Sequence, residues 1–191
     1  MNRIHNLICS SGRWRRRAAH ELVPWGIDKV ALGERVLEVG PGFGATTSVL
    51  ASRLGHLDVL ELEPRYCEKL RAELGDKVEV AEGDATQMPY PDGQFSAVLC
   101  FTMLHHIPTR ELQDAAFAEI ARVLAPAGTF AGTDSVGTGL LFKLIHVGDT
   151  LLPIDPLELP DRLRAAGFSA PLVERSDGSF RFRADKSTGQ R

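Results

Sequence analysis

The sequence predicts an α/β fold in which a mostly parallel β-sheet is covered by helices on both faces. Apolar, strand-like segments alternate with helical segments through the middle of the chain, and the connections between them are short. The first strand-like segment runs directly into a glycine-rich turn and the start of a helix. Near the end of the chain, two strand-like segments flank Ser176-Asp177-Gly178, which predicts a terminal antiparallel hairpin.

The individual elements follow from apolar periodicity and from helix start and stop signals. Helices are expected over residues 12–31, 45–54, 64–74, 109–124 and 159–166, whereas residues 1–11 show no clear periodicity and are expected to be irregular. Strands are expected over residues 35–40, 57–62, 77–81, 95–101 and 129–133, with hairpin strands over 172–175 and 179–183. Pro64 suits a first helical position and Thr109 suits an N-cap, which supports two of the helix starts.

Composition is that of an ordinary globular protein. The 191 residues suit a single domain with a substantial core, since 43% are hydrophobic and 25% are charged. A formal net charge of -3 gives no global argument for nucleic-acid binding. Cys9, Cys67 and Cys100 lack C-x-x-C spacing, so neither a disulfide framework nor a zinc site is predicted, and a reducing cytoplasm fits best. We expect no secretory signal and no transmembrane segment.

A basic cluster lies within the first predicted helix, where Arg13, Arg15, Arg16 and Arg17 surround Trp14. A solvated helix face whose arginines stay in water gives this pattern. A dock for an anionic substrate or a lipid surface gives it as well. The sequence leaves its role open.

The glycine-rich turn carries Gly40, Gly42 and Gly44 between a strand and a helix start. Glycine permits positive φ and close approach of a ligand to the backbone, and a helix start presents unpaired N–H groups. The turn therefore favours a polar or anionic ligand. A tight turn with no ligand would have the same composition.

Acidic residues follow the next two strands. Glu63 and Glu61 lie on the same side of the second strand, Glu63 stands nearer its tip, and a carboxylate there can accept both hydroxyl hydrogens of a ribose. A solvated acid at a helix start is the alternative. After the third strand, Asp84 can accept a hydrogen bond from an exocyclic amine such as that of adenine, or can serve as a turn residue.

The fourth strand is followed by His105 and His106. Adjacent residues on an extended chain face opposite ways, so no metal site is predicted. Either histidine could act as a general base, contact a substrate, or be structural. Because ligands of open parallel sheets bind at the carboxyl ends of the strands, the four features at successive strand ends are expected to form one site.

Taken jointly, these motifs resemble those of class I S-adenosylmethionine-dependent methyltransferases, of the small-molecule type related to quinone-biosynthesis methyltransferases. The resemblance covers residues 33–168. Its motifs are Val36-Leu37-Glu38-Val39-Gly40-Pro41-Gly42-Phe43-Gly44, the acid Glu63, Gly83-Asp84-Ala85 with Met88-Pro89-Tyr90, Phe95 before the fourth strand, and Arg122-Val123-Leu124-Ala125-Pro126-Ala127-Gly128. The sequence departs from the family at Ser96, where Asp is usual, and at Ala127, which replaces the first glycine of Pro-Gly-Gly.

The resemblance implies a Rossmann-like, seven-stranded, mostly parallel sheet whose last strand is antiparallel. It also implies S-adenosyl-L-methionine as cofactor and S-adenosyl-L-homocysteine as product. Glu38 would orient the methionine end, Glu63 would bind the ribose, Asp84 with Ala85 would hold adenine, and the backbone of Phe101 would line the methionine side. The implied cofactor-binding set is Glu38, Gly40, Gly42, Gly44, Glu63, Asp84, Ala85 and Phe101.

The predicted organisation is a single methyltransferase domain over residues 1–191. It comprises an N-terminal helical segment (1–32), a cofactor-binding core (33–134), a substrate-side insertion (135–160), and a last helix with a hairpin (161–185). The acceptor is expected to be a small hydrophobic or aromatic molecule, because the flanking segments are rich in Leu, Phe and Trp, although packing of the core gives the same composition. The candidates for a general base are His105, His106 and His146, and no metal is required.

Two other classes of protein fit parts of the pattern. An NAD(P)-dependent oxidoreductase is the first, because Gly40, Gly42 and Ala45 satisfy G-x-G-x-x-G/A and Glu63 follows about 20 residues later. The second is a non-catalytic, cofactor-binding partner protein. Nucleic-acid methylation is disfavoured because no base-flipping tetrapeptide follows the fourth strand. The sequence does not determine the oligomeric state.

Overall fold

The computed structural model describes residues 3–137 and 150–188, with side chains from Asn6 onward. Within these residues, seven strands form one sheet in the order β3-β2-β1-β4-β5-β7-β6. The strands are β1 (Val36–Val39), β2 (Leu57–Glu61), β3 (Glu79–Glu82), β4 (Phe95–Phe101), β5 (Leu124–Ser135), β6 (Phe168–Ser176) and β7 (Ser179–Lys186).

The helices are α1 (Arg3–Cys9), α2 (Gly12–Arg17), α3 (Val23–Gly26), α4 (Ala45–Ala51), α5 (Pro64–Leu74), α6 (Arg110–Val123) and α7 (Leu159–Ala165). A π-helical turn, Ala18–Leu22, joins α2 to α3, and short 3-10 turns span Gly75–Lys77 and Leu104–His106. Thr109 caps α6 as expected, since its side chain accepts a hydrogen bond from the backbone N–H of Leu112.

The predicted α/β fold class is confirmed. The first five strands pair in parallel, and β7 pairs antiparallel with both β5 and β6. β2 and β3 lie on one side of β1, whereas β4 and β5 lie on the other, so the strand order reverses between β1 and β4. In an open α/β sheet this reversal leaves a crevice at the carboxyl ends of the strands, where ligands bind.

The central strands of the parallel part are buried on both faces, whereas the edge strand β3 has no fully buried residue. Every residue of β1 and β2 is buried, and side chains that alternate along β1 and β4 belong to two separate apolar clusters. One cluster contains Phe117 of α6 and Leu163 of α7, and the other contains Leu50 of α4 and Leu70 of α5. Helices on both faces therefore fix the sheet and hold the strand ends in place.

The chain start differs from the expectation. Residues 1–11 were expected to be irregular, but Arg3–Cys9 form α1. A helix of only two turns is too short to show clear periodicity in sequence. It is held to the core by Asn6, whose side-chain oxygen accepts a hydrogen bond from the Tyr66 hydroxyl at 3.0 Å.

The sequence departs from the family pattern at Ser96, which has a structural role, and at Ala127, which has a conformational cost. The Ser96 hydroxyl accepts a hydrogen bond from the Arg35 backbone N–H at 3.0 Å and lies 2.7 Å from the carbonyl oxygen of Leu32, so it holds the chain that enters β1. Ala127 has φ 60, the left-handed conformation that glycine adopts without strain. Strand β5 begins at Leu124, five residues earlier than predicted, and its pairing with β4 shifts register there.

Candidate active site

A cavity of about 800 Å³ lies at the carboxyl ends of β1 to β5. Its size suits a cofactor or drug-sized ligand. Of the predicted site residues, those that line it are Gly40, Gly42, Glu63, Asp84, Ala85, Phe101, His105 and His106. The expected convergence of four strand ends on one site is thus present in the structure. His146 lies outside the described residues.

The glycine turn forms one wall of this cavity. Gly40 has φ 66, and a Cβ atom built there would lie 2.2 Å from Cγ of Met103. No other residue could occupy this position without displacing the opposite wall. Gly44 also has positive φ, but it stands at the start of α4 and does not line the cavity.

Glu38 is buried beneath the glycine turn and does not line the cavity either. It is 1% exposed, and the Thr46 hydroxyl donates a hydrogen bond to its Oε1. Its Oε2 has no hydrogen-bond partner among the described residues. Burial raises the pKa of Glu38 to about 7, against a lowering by the nearby hydroxyls of Thr46 and Thr47.

The two acids after β2 have different environments. Glu61 is buried, and its carboxylate accepts hydrogen bonds from the backbone N–H of Gly42 at 2.9 Å and of Glu63 at 3.0 Å. Glu63 is exposed and its carboxylate lies 3.5 Å from Nε of Arg65. Both acids line the cavity. Sequence reasoning singled out Glu63 and passed over Glu61, which connects the glycine turn to the end of β2.

Asp84 and Ala85 lie at the end of β3. One carboxylate oxygen of Asp84 accepts hydrogen bonds from the backbone N–H and the hydroxyl of Thr86, each at 2.8 Å. This is the turn geometry considered as the alternative to ligand binding, but it occurs at the cavity wall. The turn therefore fixes the position of a carboxylate that remains available to a ligand through its other oxygen.

The end of β4 forms the floor between the glycine turn and the histidines. Phe101 packs its ring against α3, where a Cβ built on Gly26 would lie 2.8 Å from the ring. Thr102 follows with φ 52, an uncommon conformation for a β-branched residue, and its backbone N–H donates to the Thr133 carbonyl oxygen at 2.7 Å. Backbone strain of this kind is concentrated at functional sites, and no sequence pattern signals it here.

His105 and Asp134 form a buried pair at the ends of β4 and β5. Nδ1 of His105 contacts one carboxylate oxygen of Asp134, and the His105 backbone N–H donates to the other at 3.2 Å. The Ser135 backbone N–H also donates to this carboxylate, at 2.6 Å. His105 and Asp134 both line the cavity, so a carboxylate orients a histidine inside the site. Sequence reasoning missed Asp134.

His106 is less buried than His105. Its Nδ1 lies 3.3 Å from the carbonyl oxygen of Thr150, and its ring centroid lies 4.3 Å from that of His105. Thr150 lines the cavity, and Leu152 donates its backbone N–H to the His105 carbonyl oxygen at 2.8 Å. This end of the predicted insertion therefore lies against the histidines.

The group of side chains closest to a metal-binding arrangement among the described residues lies away from the cavity. It consists of His56, Asp58 and Glu79. Arg35 already binds Asp58 through two hydrogen bonds of 3.2 Å.

Fold and cavity together define an α/β domain that binds a ligand at the strand reversal, and comparison with known proteins identifies its family. The family model described as "Methyltransferase domain" matches residues 37–132, about half of the chain. The chain belongs to this methyltransferase domain family. The predicted methyltransferase domain is thereby confirmed.

Individual relatives resemble the chain over part of their length. A fatty-acid O-methyltransferase of Mycolicibacterium smegmatis is 37% identical over 108 residues, which are 54% of this chain and 38% of that protein. A protein of Thermococcus onnurineus named "Probable ribosomal RNA small subunit methyltransferase A" is 36% identical over 75 residues, covering 38% of this chain and 28% of that protein. The chain therefore spans well under half the length of these relatives.

Solved structures resemble the whole fold. A Thermotoga maritima S-adenosylmethionine-dependent methyltransferase superimposes with a TM-score of 0.74 over 96% of this chain and 98% of that one, at 19% sequence identity. This similarity establishes the fold. Within residues 3–137 and 150–188, no helix has the length and apolar character needed to cross a bilayer.

Proposed function

We propose that the protein transfers a methyl group from S-adenosylmethionine to a small hydrophobic or aromatic acceptor. The observation that carries this proposal is the convergence of the glycine turn, Glu61, Asp84 and the His105–Asp134 pair on one cavity. The family assignment favours this function over a nicotinamide-dependent oxidoreductase. A non-catalytic cofactor-binding protein is the competing function, and turnover distinguishes the two.

The residues present fit the cofactor. Gly40 brings the backbone to the cavity wall at a position where a Cβ would collide with Met103, and acidic groups line the same cavity. Asp84 would bind the adenine amine beside Ala85, and Glu63 would bind the ribose hydroxyls. We extend the ribose site to Glu61, because this residue lines the cavity together with Glu63. The hydrogen bond of 2.9 Å that the Glu61 carboxylate accepts from the Gly42 N–H holds it beside the glycine turn. When bound, the cofactor supplies an electrophilic methyl carbon on its sulfonium.

For an acceptor with an acidic O–H or C–H, His105 would act as the general base. We assign the ring proton to Nδ1, which contacts Asp134, and in this tautomer Nε2 carries the lone pair that accepts the proton of the acceptor. Asp134 stabilises the imidazolium that results. His106 and His146 remain candidates for acceptor contacts. The remaining work of the protein is to align the acceptor and exclude water.

Apolar residues in the cavity wall support the predicted acceptor class. The wall includes Ile8, Trp14, Leu22, Leu112 and Val136. The named substrate class of the Mycolicibacterium smegmatis relative, fatty acids, is also apolar. Residues 135–160 are proposed to complete the acceptor side, since Val136 and Thr150 line the cavity.

Nucleic acid is not proposed as the substrate, because the net charge is -3. A cytoplasmic location is proposed on the thiols of Cys67 and Cys100, which are buried and not in disulfides.

Calorimetric titration with S-adenosylhomocysteine tests the site. Glu61→Gln, Glu63→Ala and Asp84→Ala should each weaken binding about tenfold or more, since a lost hydrogen bond to a charged group costs about 1.5–3 kcal/mol. Glu68→Gln, an exposed change on α5, is the matched control and should bind like the wild type. Unchanged affinity in all three site variants would remove the site assignment.

Turnover is measured with methyl-labelled cofactor and acceptors of three types: long-chain fatty acids, hydroquinones and simple phenols. Transfer of label to any of these supports the proposed activity. Tight cofactor binding without transfer to any acceptor type would favour the non-catalytic function.

A further inference from the structure

Exposed aliphatic side chains gather at the rim of the main cavity. Ile8, Leu62 and Leu112 all line the cavity, yet they are 36%, 60% and 39% exposed to solvent. Leu7, next to Ile8 on α1, is 73% exposed. Clustered exposed apolar residues mark a surface that binds something, whereas single ones are common and need no explanation. We call these four residues the apolar rim.

Positive charge is concentrated on α2, the helix from which Trp14 and Arg17 reach the cavity. Arg13, Arg15 and Arg16 on α2 are exposed. In the described part of the chain, ion pairing within this cluster is confined to Arg17 with Glu21, at 3.5 Å. Because the whole protein carries a net charge of -3, this concentration of arginine is local and not a consequence of composition.

Trp14 connects the two features. Its ring is half-buried and lines the cavity, and the Arg17 guanidinium lies 5.7 Å from the ring centroid. A half-buried tryptophan between aliphatic tips and arginines is the arrangement found at membrane interfaces, where the ring lies at headgroup depth. A surface that tracks nucleic-acid phosphates would not need exposed leucines.

We infer that this face docks onto an anionic lipid bilayer, with the apolar rim inserted among the acyl chains and the arginines on the headgroups. The cavity mouth would then open toward the bilayer. Apolar acceptors could pass into it without crossing water, a consequence that rests on the proposed function. The docking itself does not depend on that function.

The test is co-sedimentation of the full chain with vesicles of phosphatidylcholine alone or with about one third phosphatidylglycerol, at low and high salt. Binding should be much stronger to the anionic vesicles and should be lost at about 0.5 M salt, because screening shortens the reach of the arginines. Equal binding to both vesicle types, or none to either, would overturn the inference.

Charge variants locate the surface. The triple variant Arg13→Gln, Arg15→Gln, Arg16→Gln should partition onto anionic vesicles about 100-fold more weakly. The matched control, Lys29→Gln, Lys77→Gln, Arg164→Gln, removes three exposed positive charges that lie outside α2. Equal losses in the two triple variants would show a net-charge effect and exclude this docking surface.

Leucine variants test the apolar rim in the same assay. Leu7→Gln with Leu62→Gln should weaken vesicle binding about tenfold or more. The control pair, Leu157→Gln with Leu172→Gln, changes leucines that are 75% and 46% exposed and lie outside the cavity lining. Equal effects of the two pairs would contradict insertion of the apolar rim.

Cofactor binding keeps the two proposals separable. The triple arginine variant should bind S-adenosylhomocysteine like the wild type, which also shows that it is folded. Vesicle binding without cofactor binding would refute the proposed function and leave the docking surface. Cofactor binding without vesicle binding would refute the docking surface and leave the proposed function.

Discussion

The buried carboxyl of Glu38 makes stability depend on pH in a defined direction. Glu38 is 1% exposed, and one of its carboxylate oxygens has no partner among the described residues. Burial raises its pKa from the ordinary 4.5 to about 7. The native state therefore holds this proton more tightly than the unfolded chain does.

The sign of the effect follows from proton linkage. Because the native state binds more protons between pH 4.5 and pH 7, the free energy of unfolding falls as pH rises through this window. Above pH 7 the full cost of the buried charge is present. At about 1.4 kcal/mol for each pH unit between the two pKa values of 4.5 and about 7, this cost is at most about 3.5 kcal/mol.

Replacing Glu38 by Gln removes the titration while keeping the size of the side chain and an oxygen that can accept from Thr46. We expect the variant to match the wild type near pH 5 and to exceed its stability by about 2–3 kcal/mol at pH 8. Urea denaturation at pH 5, 6, 7 and 8 measures the difference. The exposed Glu68→Gln change is the control and should give no such trend.

A constant difference between Glu38→Gln and the wild type across this pH range would refute the reasoning. It would mean that the pKa of Glu38 is the same in the folded and unfolded states, because other groups around its carboxylate offset the effect of burial. A difference that grows toward low pH would reverse the sign and refute it equally.

Two further predictions concern single residues. Ala127 has φ 60, a conformation that costs a non-glycine residue about 1–2 kcal/mol, so Ala127→Gly should raise the thermal midpoint slightly after the entropy cost of glycine is subtracted. The same change at the exposed Ala72 inside α5 should destabilise the fold by about 1 kcal/mol, and loss of stability in both would show that φ has no influence. Asp134→Asn should lower the methyl-transfer rate about 100-fold or more while cofactor affinity stays within about twofold, because Asp134 acts through the orientation of His105. Steady-state kinetics with calorimetry checks this, and an equal loss in cofactor affinity would assign Asp134 a structural role only.

The parallel core could be predicted because most of its strands are short, mainly apolar segments between turn signals. Strands buried on both faces read this way, and the strand ends then specify where polar residues converge. The sequence alone placed Gly40, Asp84 and His105 at one sheet edge, and they do line one cavity.

The choice between Glu61 and Glu63 could not be made from sequence. Alternation puts both on the same side of β2, but it does not say where pairing ends. In the structure, Glu61 still pairs with Glu82 of β3 and is buried, whereas Glu63 lies beyond the strand and is exposed. Burial is set by neighbouring strands, which the local pattern does not contain.

The pair of Asp134 and His105 illustrates the same limit at longer range. The two residues are 29 positions apart and meet only because β4 and β5 are neighbours with a particular register. Sequence reasoning recognised the histidine by its type and position at a strand end. The partner became visible only after the strands were paired.

The central claim is that this cavity binds S-adenosylmethionine, and thermal unfolding with added ligands tests it most directly. S-adenosylhomocysteine or S-adenosylmethionine at about 100 times its dissociation constant should stabilise the protein by about 2.7 kcal/mol. For a domain of this size, that corresponds to a rise of about 5–10 °C in the thermal midpoint. NADH and NADPH should leave it unchanged. A rise with the nicotinamides alone, or no rise with saturating adenosyl-sulfur ligands, would contradict the claim.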